Sequence, residues 1–129
     1  MEDALRRALA HDRTVDITTI GRRSGVPRRI EIWFYRAAGR FYLSGSPGKR
    51  DWYANLEGNP AFTFHLKRSV VADLPATARL VTDEDERRRV FTEIVGDLNQ
   101  PGNPAGLSRR VDLEAWMAGS PLVEITFVE

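Results

Sequence analysis

The 129-residue sequence predicts a mainly β, α+β fold: a small antiparallel barrel with helices at its periphery. Short runs rich in β-branched and aromatic residues recur with period-two alternation. Glycine and proline signals separate them at hairpin spacing. Only one segment, in the C-terminal half, carries a long apolar stripe of helical period. Closing such a sheet removes exposed edges and leaves a groove at the mouth for a ligand. The length suits one domain spanning residues 1–129.

The elements follow in chain order. Residues 2–10 form a short helix with Leu5, Ala8 and Leu9 on one side. Residues 14–20 are a strand, and an arginine-rich turn follows. Ile30, Ile32 and Phe34 then alternate with Glu31, Trp33 and Tyr35, the pattern of a half-buried strand. Residues 37–40 turn the chain back into a strand over residues 41–44. Gly45 to Gly48 break that strand, and residues 49–56 read as a short helix closed by Gly58-Asn59-Pro60. Phe62, Phe64 and Leu66 mark the next strand. Residues 70–74 and 76–81 continue the sheet, interrupted or bulged at Pro75. Residues 82–98 are the clearest helix, with Asp83 and Glu86 at capping-box spacing and Val90, Phe91, Ile94, Val95 and Leu98 in one stripe. Residues 99–106 form a loop with the character of a lid, residues 112–117 a helical turn or two, and residues 122–128 the last strand.

Composition narrows the chemistry. No cysteine is present, which excludes disulfides, thiolate metal sites and a cysteine nucleophile. The N-terminus carries no signal-like apolar run and no segment reaches membrane-spanning length, so the expected location is cytoplasmic, with no integral membrane segment. The net charge of +1 conceals an asymmetry. Residues 22–50 hold eight basic residues and one acid, a net +7, while the remainder holds 11 basic and 17 acidic residues, a net −6. A positive segment in an otherwise acidic chain implies a local anion site more than affinity for nucleic acid. The bland alternative is a solvated basic face.

Two stretches carry the anion chemistry. In Gly21-Arg22-Arg23-Ser24-Gly25-Val26-Pro27-Arg28-Arg29, guanidinium forks surround a tight turn, and the backbone N–H groups of Ser24, Gly25 and Val26 are candidate donors to phosphate or carboxylate. In Ser44-Gly45-Ser46-Pro47-Gly48-Lys49-Arg50-Asp51-Trp52-Tyr53, a glycine-rich bend runs into a helix N-terminus, which attracts anions. Trp33, Tyr35 and Tyr42 share a face and either line a planar ring or pack against a helix. His65 faces outward from Phe64, and with His11 makes two isolated histidines. No grouping supports hydrolysis and no spacing supports a metal, so an enzyme of this kind needs a cofactor for its chemistry.

Ile17-Thr18-Thr19-Ile20-Gly21-Arg22-Arg23-Ser24-Gly25-Val26-Pro27-Arg28 resembles the signature of the deazaflavin-dependent nitroreductase family. Asp51-Trp52-Tyr53-Ala54-Asn55-Leu56 with Asn59-Pro60 resembles its second motif, and Ala76-Thr77-Ala78-Arg79 the strand that follows. The resemblance implies a split β-barrel like that of pyridoxamine-phosphate-oxidase-like FMN-binding proteins. It implies coenzyme F420 as cofactor and hydride transfer from its reduced form to a small-molecule electron acceptor: a quinone, nitroaromatic or enone. Carried over, Arg22, Arg23, Ser24, Gly25, Val26, Pro27 and Arg28 meet the anionic tail. Ser44, Ser46, Gly48, Lys49, Trp52, Tyr53 and Asn55 line the ribityl and ring region, and Tyr53 or Tyr42 protonates the product. The loop before Trp52-Tyr53 is shorter than in better-known relatives. That leaves open a barrel loaded with FMN, haem or a lipid and performing no turnover. Split barrels often pair through their sheets, which adds a homodimer to the expectations.

Overall fold

The computed structural model describes residues 1–46, 48, 50–100 and 110–128. The alternating segments become six strands: β1 (Thr14–Ile20), β2 (Pro27–Ala37), β3 (Arg40–Ser44), β4 (Ala61–Leu66), β5 (Ala72–Leu80) and β6 (Leu122–Phe127). Four helices accompany them: α1 (Asp3–His11), α2 (Asp51–Gly58), α3 (Glu84–Leu98) and α4 (Leu113–Gly119). Every strand pairing is antiparallel, and the sheet closes in the order β1-β2-β3-β6-β5-β4. The expected barrel with peripheral helices is the observed one.

Alternation decides which side chains fill the barrel. Val15 and Ile17 of β1, Phe34 of β2, Leu43 of β3, Phe64 of β4 and Val123 of β6 are fully buried in one cluster, to which α1 adds Ala8 and Leu9 and α2 adds Trp52 and Leu56. Phe64 packs edge-on against Phe34 at 5.2 Å and against Phe127 at 5.1 Å between ring centroids. A second cluster lies on the outside of β2 and β3. Tyr35 and Tyr42, directly paired across the two strands, pack there beneath the apolar stripe of α3 and beneath Trp116 and Met117 of α4. Asp83 caps α3 by accepting from the Glu86 N–H at 2.9 Å, and Asp112 caps α4 by accepting from Ala115 at 3.1 Å. Arg36 ties α1 to the barrel: its guanidinium donates to the carbonyls of Leu9 and Asp12 and lies over the Phe34 ring at 4.7 Å.

The structure corrects several expectations. Pro75 does not interrupt its strand. It pairs with Thr63 inside a continuous β5, and its carbonyl accepts from Val128 just past the end of β6, so its missing N–H falls where the neighbouring strand stops. His65 is on the outer face, yet it is buried, because the Thr18 hydroxyl at 2.7 Å and the Asp73 carboxylate at 2.6 Å engage its two ring nitrogens. Ile30 does not join Ile32 and Phe34 in the barrel and is exposed. Residues 27–33 of β2 pair with β1, whereas pairing with β3 starts only at Phe34. One edge of this half of β2 is therefore unpaired among the described residues.

The β2–β3 connection is a two-residue hairpin loop in which Ala38 has φ 52° and Gly39 φ 73°. Alanine pays a steric cost in this left-handed conformation that glycine does not. Ala38→Gly is expected to raise the unfolding free energy by about 0.5–1 kcal/mol, read as a higher urea midpoint at unchanged slope. A lower midpoint would show that glycine's extra freedom in the unfolded chain outweighs the strain relieved.

Candidate functional site

A groove of about 500 Å³ runs along the open edge of β2. Ile30, Glu31, Ile32, Trp33 and Tyr35 form its long side, and Ser44, Gly45 and Ser46 leave β3 across from them. Arg50 and Trp52 enter from the start of α2, and Leu98, Val111 and Trp116 close the far end. All three tryptophans of the chain, Trp33, Trp52 and Trp116, line this one space. Flat aromatic walls beside an unpaired strand edge suit a planar ring, because its faces meet apolar surface while its rim meets backbone donors and acceptors.

Three polar side chains around the groove, Glu31, Ser44 and Arg50, already have protein partners. Glu31 is held by Lys67 and by Arg68 at 3.3 Å. The buried Ser44 hydroxyl donates to the Pro121 carbonyl at 2.6 Å. Arg50 donates to the Ser46 carbonyl at 2.8 Å and lies across Gly45, where a Cβ would come within 3.4 Å of its guanidinium. The close approach read from Gly45 is thus made by the chain's own Arg50. Gly48 has open space around it and serves a backbone with φ 144°. Lys49 lies outside the described residues, as do Pro47 and most of the loop read as a lid.

The arginine turn sits beyond the other end of α2. At Gly21 a Cβ would lie 2.3 Å from the Ser24 hydroxyl oxygen, so any side chain there would displace that hydroxyl from its place in the turn. The turn consumes more of its own donors than the sequence suggests. Gly25 N–H donates to the Gly21 carbonyl at 2.9 Å, Val26 N–H to the Ser24 hydroxyl oxygen at 3.1 Å, and Arg22 N–H to the Asn55 side chain at 3.0 Å. Gly25 and Val26 therefore offer no backbone donors to an anion; Arg23 and Ser24 retain theirs. The basic segment is similarly reduced. Arg29 pairs with Asp16 at 2.9 Å, Arg40 with Glu124 at 3.2 Å, and Arg36 caps α1. Arg22 reaches Glu57 at 3.4 Å, while Arg23 and Arg28 have no carboxylate partner among the described residues. Those two arginines are the free cations of the turn.

Asn55 is a clasp more than a ligand contact. Its carboxamide accepts from Arg22 and donates to the Thr19 hydroxyl at 3.1 Å, so both ends are occupied within the protein. Tyr53 and Gly48 line a second depression, with Arg87 and Ser120, on the other side of α2. Burial and the nearby Glu57 raise the Tyr53 phenol above its ordinary pKa. Tyr42 is only 2% exposed, packs beneath α3 and borders neither space. It shares the helix-covered face with Tyr35 but lines a separate depression with Arg40, Glu86 and Arg89, away from the aromatic groove. Residue-type patterning did not reveal Trp116, Val111 or Leu98, which arrive from distant sequence; the scarcity of tryptophan was the one available signal. Among the described residues, no group of three or more histidine and acidic side chains is arranged to hold a metal.

Solved structures define the class. A conserved hypothetical protein from Mycobacterium tuberculosis matches with TM-score 0.73 at 19% identity, over 100% of this chain and 82% of that one. A putative pyridoxamine 5'-phosphate oxidase from Listeria innocua matches with TM-score 0.65 at 15% identity, over 98% and 93%. HutZ, a haem storage protein from Vibrio cholerae, matches with TM-score 0.66 at 13% identity, over 99% and 90%. The fold is the split barrel of pyridoxamine-phosphate-oxidase-like proteins. Within that class, the model of the F420H(2)-dependent quinone reductase family matches residues 5–106, and the chain belongs to that family.

Removing the clasp tests what holds the turn. Asn55→Ala is expected to cost about 2–3 kcal/mol, from two lost hydrogen bonds at a buried position. Amide exchange at Arg22 should accelerate with it. Exchange at Arg22 no faster than in the parent protein would mean the turn is held by its internal bonds alone.

Proposed function

We propose that this protein is an oxidoreductase that binds coenzyme F420 in the aromatic groove and reduces an electron-poor acceptor, a quinone, nitroaromatic or enone, with hydride from the reduced coenzyme. The observation that carries this reading is the arrangement of two unlike sites at opposite ends of α2. Trp52 at its start faces the aromatic groove, and Asn55 and Gly58 toward its end contact the arginine turn. Eight helical residues span about 12 Å, which suits a ligand with a planar ring at one end and an anionic tail at the other. Membership of the F420H(2)-dependent quinone reductase family supports the same choice.

The bound deazaflavin supplies the hydride chemistry; the chain supplies position and surroundings. Arg23, Arg28 and the N–H groups of Arg23 and Ser24 hold the anionic tail, with Arg22 set beside them by the Asn55 clasp. Trp33 and Trp52 confine the ring, while Ser46 and the open edge of β2 offer it polar contacts. Val26 and Pro27 shape the entry, and Pro27 begins the strand that carries the groove. Excluding water from this apolar space strengthens every polar contact made inside it. A one-domain cytoplasmic enzyme, operating as a homodimer, belongs to the same proposal; no described helix is long and apolar enough to cross a membrane.

The second reading is a barrel that stores a different cofactor. The likeness to a haem storage protein motivates it. Neither His11 nor His65 lines the groove, so neither histidine is placed to ligate a haem iron there. FMN, which shares the planar ring and a phosphate, remains the competitor.

Titration of the protein with coenzyme F420 and with FMN separates these readings. Saturable change in deazaflavin fluorescence, with weaker FMN binding, is expected. The double variant Arg23→Ala, Arg28→Ala should weaken F420 binding about 10-fold or more at low salt, and should flatten its salt dependence. Absence of saturable F420 binding by the unmodified protein ends the proposal.

A further inference from the structure

We propose, on the reading given above, that Tyr35 recognises the carbonyl oxygen of a planar acceptor and that the far end of the groove is the acceptor's seat. The phenol is placed for this by three features. Its ring is 4% exposed and locked edge-on against Trp116, at 6.1 Å and 89°. It lines the groove between Trp33 and the wall made by Leu98, Val111 and Trp116. Its hydroxyl has no hydrogen-bond partner among the described residues and is not among their sealed polar atoms, whereas the Ser44 hydroxyl of the groove is spent on Pro121. A hydroxyl that is unpaired and reachable at the wall of an apolar groove can bond a ligand oxygen without first breaking a bond within the protein.

Position distinguishes acceptor from cofactor. Tyr35 lies eight residues along β2 from Pro27, where the arginine turn ends, a distance of about 26 Å. A cofactor anchored by its tail at the turn reaches the Ile30 and Trp52 end of the groove first. The Tyr35 end remains for the molecule being reduced.

The chemistry asks for a donor that keeps its proton. When hydride from the reduced deazaflavin carries two electrons and one proton to a quinone, the deazaflavin is oxidised and one quinone oxygen is left anionic. A proton from water then completes the hydroquinone. Burial pushes the Tyr35 phenol up to about 12, and the opposing influence of nearby Arg13 does not reverse this. Tyr35 therefore stays protonated and holds the developing charge through a hydrogen bond, in the manner of an oxyanion-hole donor.

The three groove tryptophans report occupancy without any cofactor. Quenching of their fluorescence by 1,4-naphthoquinone and by naphthalene is measured for the parent protein and for Tyr35→Phe. Loss of the hydroxyl should weaken naphthoquinone binding about 10-fold and leave naphthalene, which has no oxygen, within about twofold. With F420 bound, kcat/KM for naphthoquinone relative to a tetrazolium dye, which accepts hydride at nitrogen, should fall about 100-fold. Equal affinities of parent and variant for naphthoquinone, or equal weakening of both ligands, would overturn the assignment of Tyr35. If F420 fails to bind while the naphthoquinone discrimination persists, the proposed oxidoreductase falls and the carbonyl site stands. If F420 binds and the discrimination is missing, only the carbonyl site falls.

Discussion

The structure depends on one seam. The barrel closes where β1 meets β4, and only three residue pairs are registered there: Asp16 with His65, Ile17 with Phe64 and Thr18 with Thr63. His65 reinforces the seam by bonding to Thr18 on β1 and Asp73 on β5, so one imidazole ties three strands. Inside the wall, Ile17 and Phe64 are both fully buried against each other's strands. Closure at this point fixes the twist of β1, and among the described residues β1 is the only strand paired with the first half of β2. The groove exists because that half of β2 is held on one side and free on the other.

That asymmetry explains how a small barrel makes a groove outside its core. The interior is filled by aromatic and branched side chains, as expected for so few strands. The groove is instead on the outside, between an open strand edge and two elements from elsewhere in the chain. α2 contributes Trp52 from one direction, and the α3–α4 region contributes Leu98, Val111 and Trp116 from the other. α2 is held in place from within, through Trp52 and Leu56 in the barrel core and Asn55 on Thr19. The groove wall and the arginine turn thus share one rigid support.

Local pattern carried most of the fold. β1 was readable because all its residues but Asp16 are β-branched, and α3 because its stripe and its Asp83 cap agree. Pro75 misled because a proline says nothing about where the neighbouring strand ends. Ile30 misled because alternation reports which face a residue occupies but not whether a second strand arrives to cover it. The site was half legible. The arginine turn and the Trp52 segment are contiguous motifs, whereas Trp116 sits 83 positions beyond Trp33 and nothing local announces that they face one space. The charge count was also too generous, since ion pairs with Asp16 and Glu124 lie far away in sequence or in a neighbouring strand and absorb part of the excess.

The position of β6 has a consequence for how the molecule is made. The last strand of the chain is inserted between β3 and β5, pairing with both. A nascent chain that has not yet delivered residues 122–127 therefore exposes two long unpaired edges at once, flanking the Phe41 and Ala78 rows that β6 will cover. Exposed edges of this kind recruit other strands. The sheet therefore cannot close until residues 122–127 have been made, and until then its two open edges are the points most exposed to aggregation.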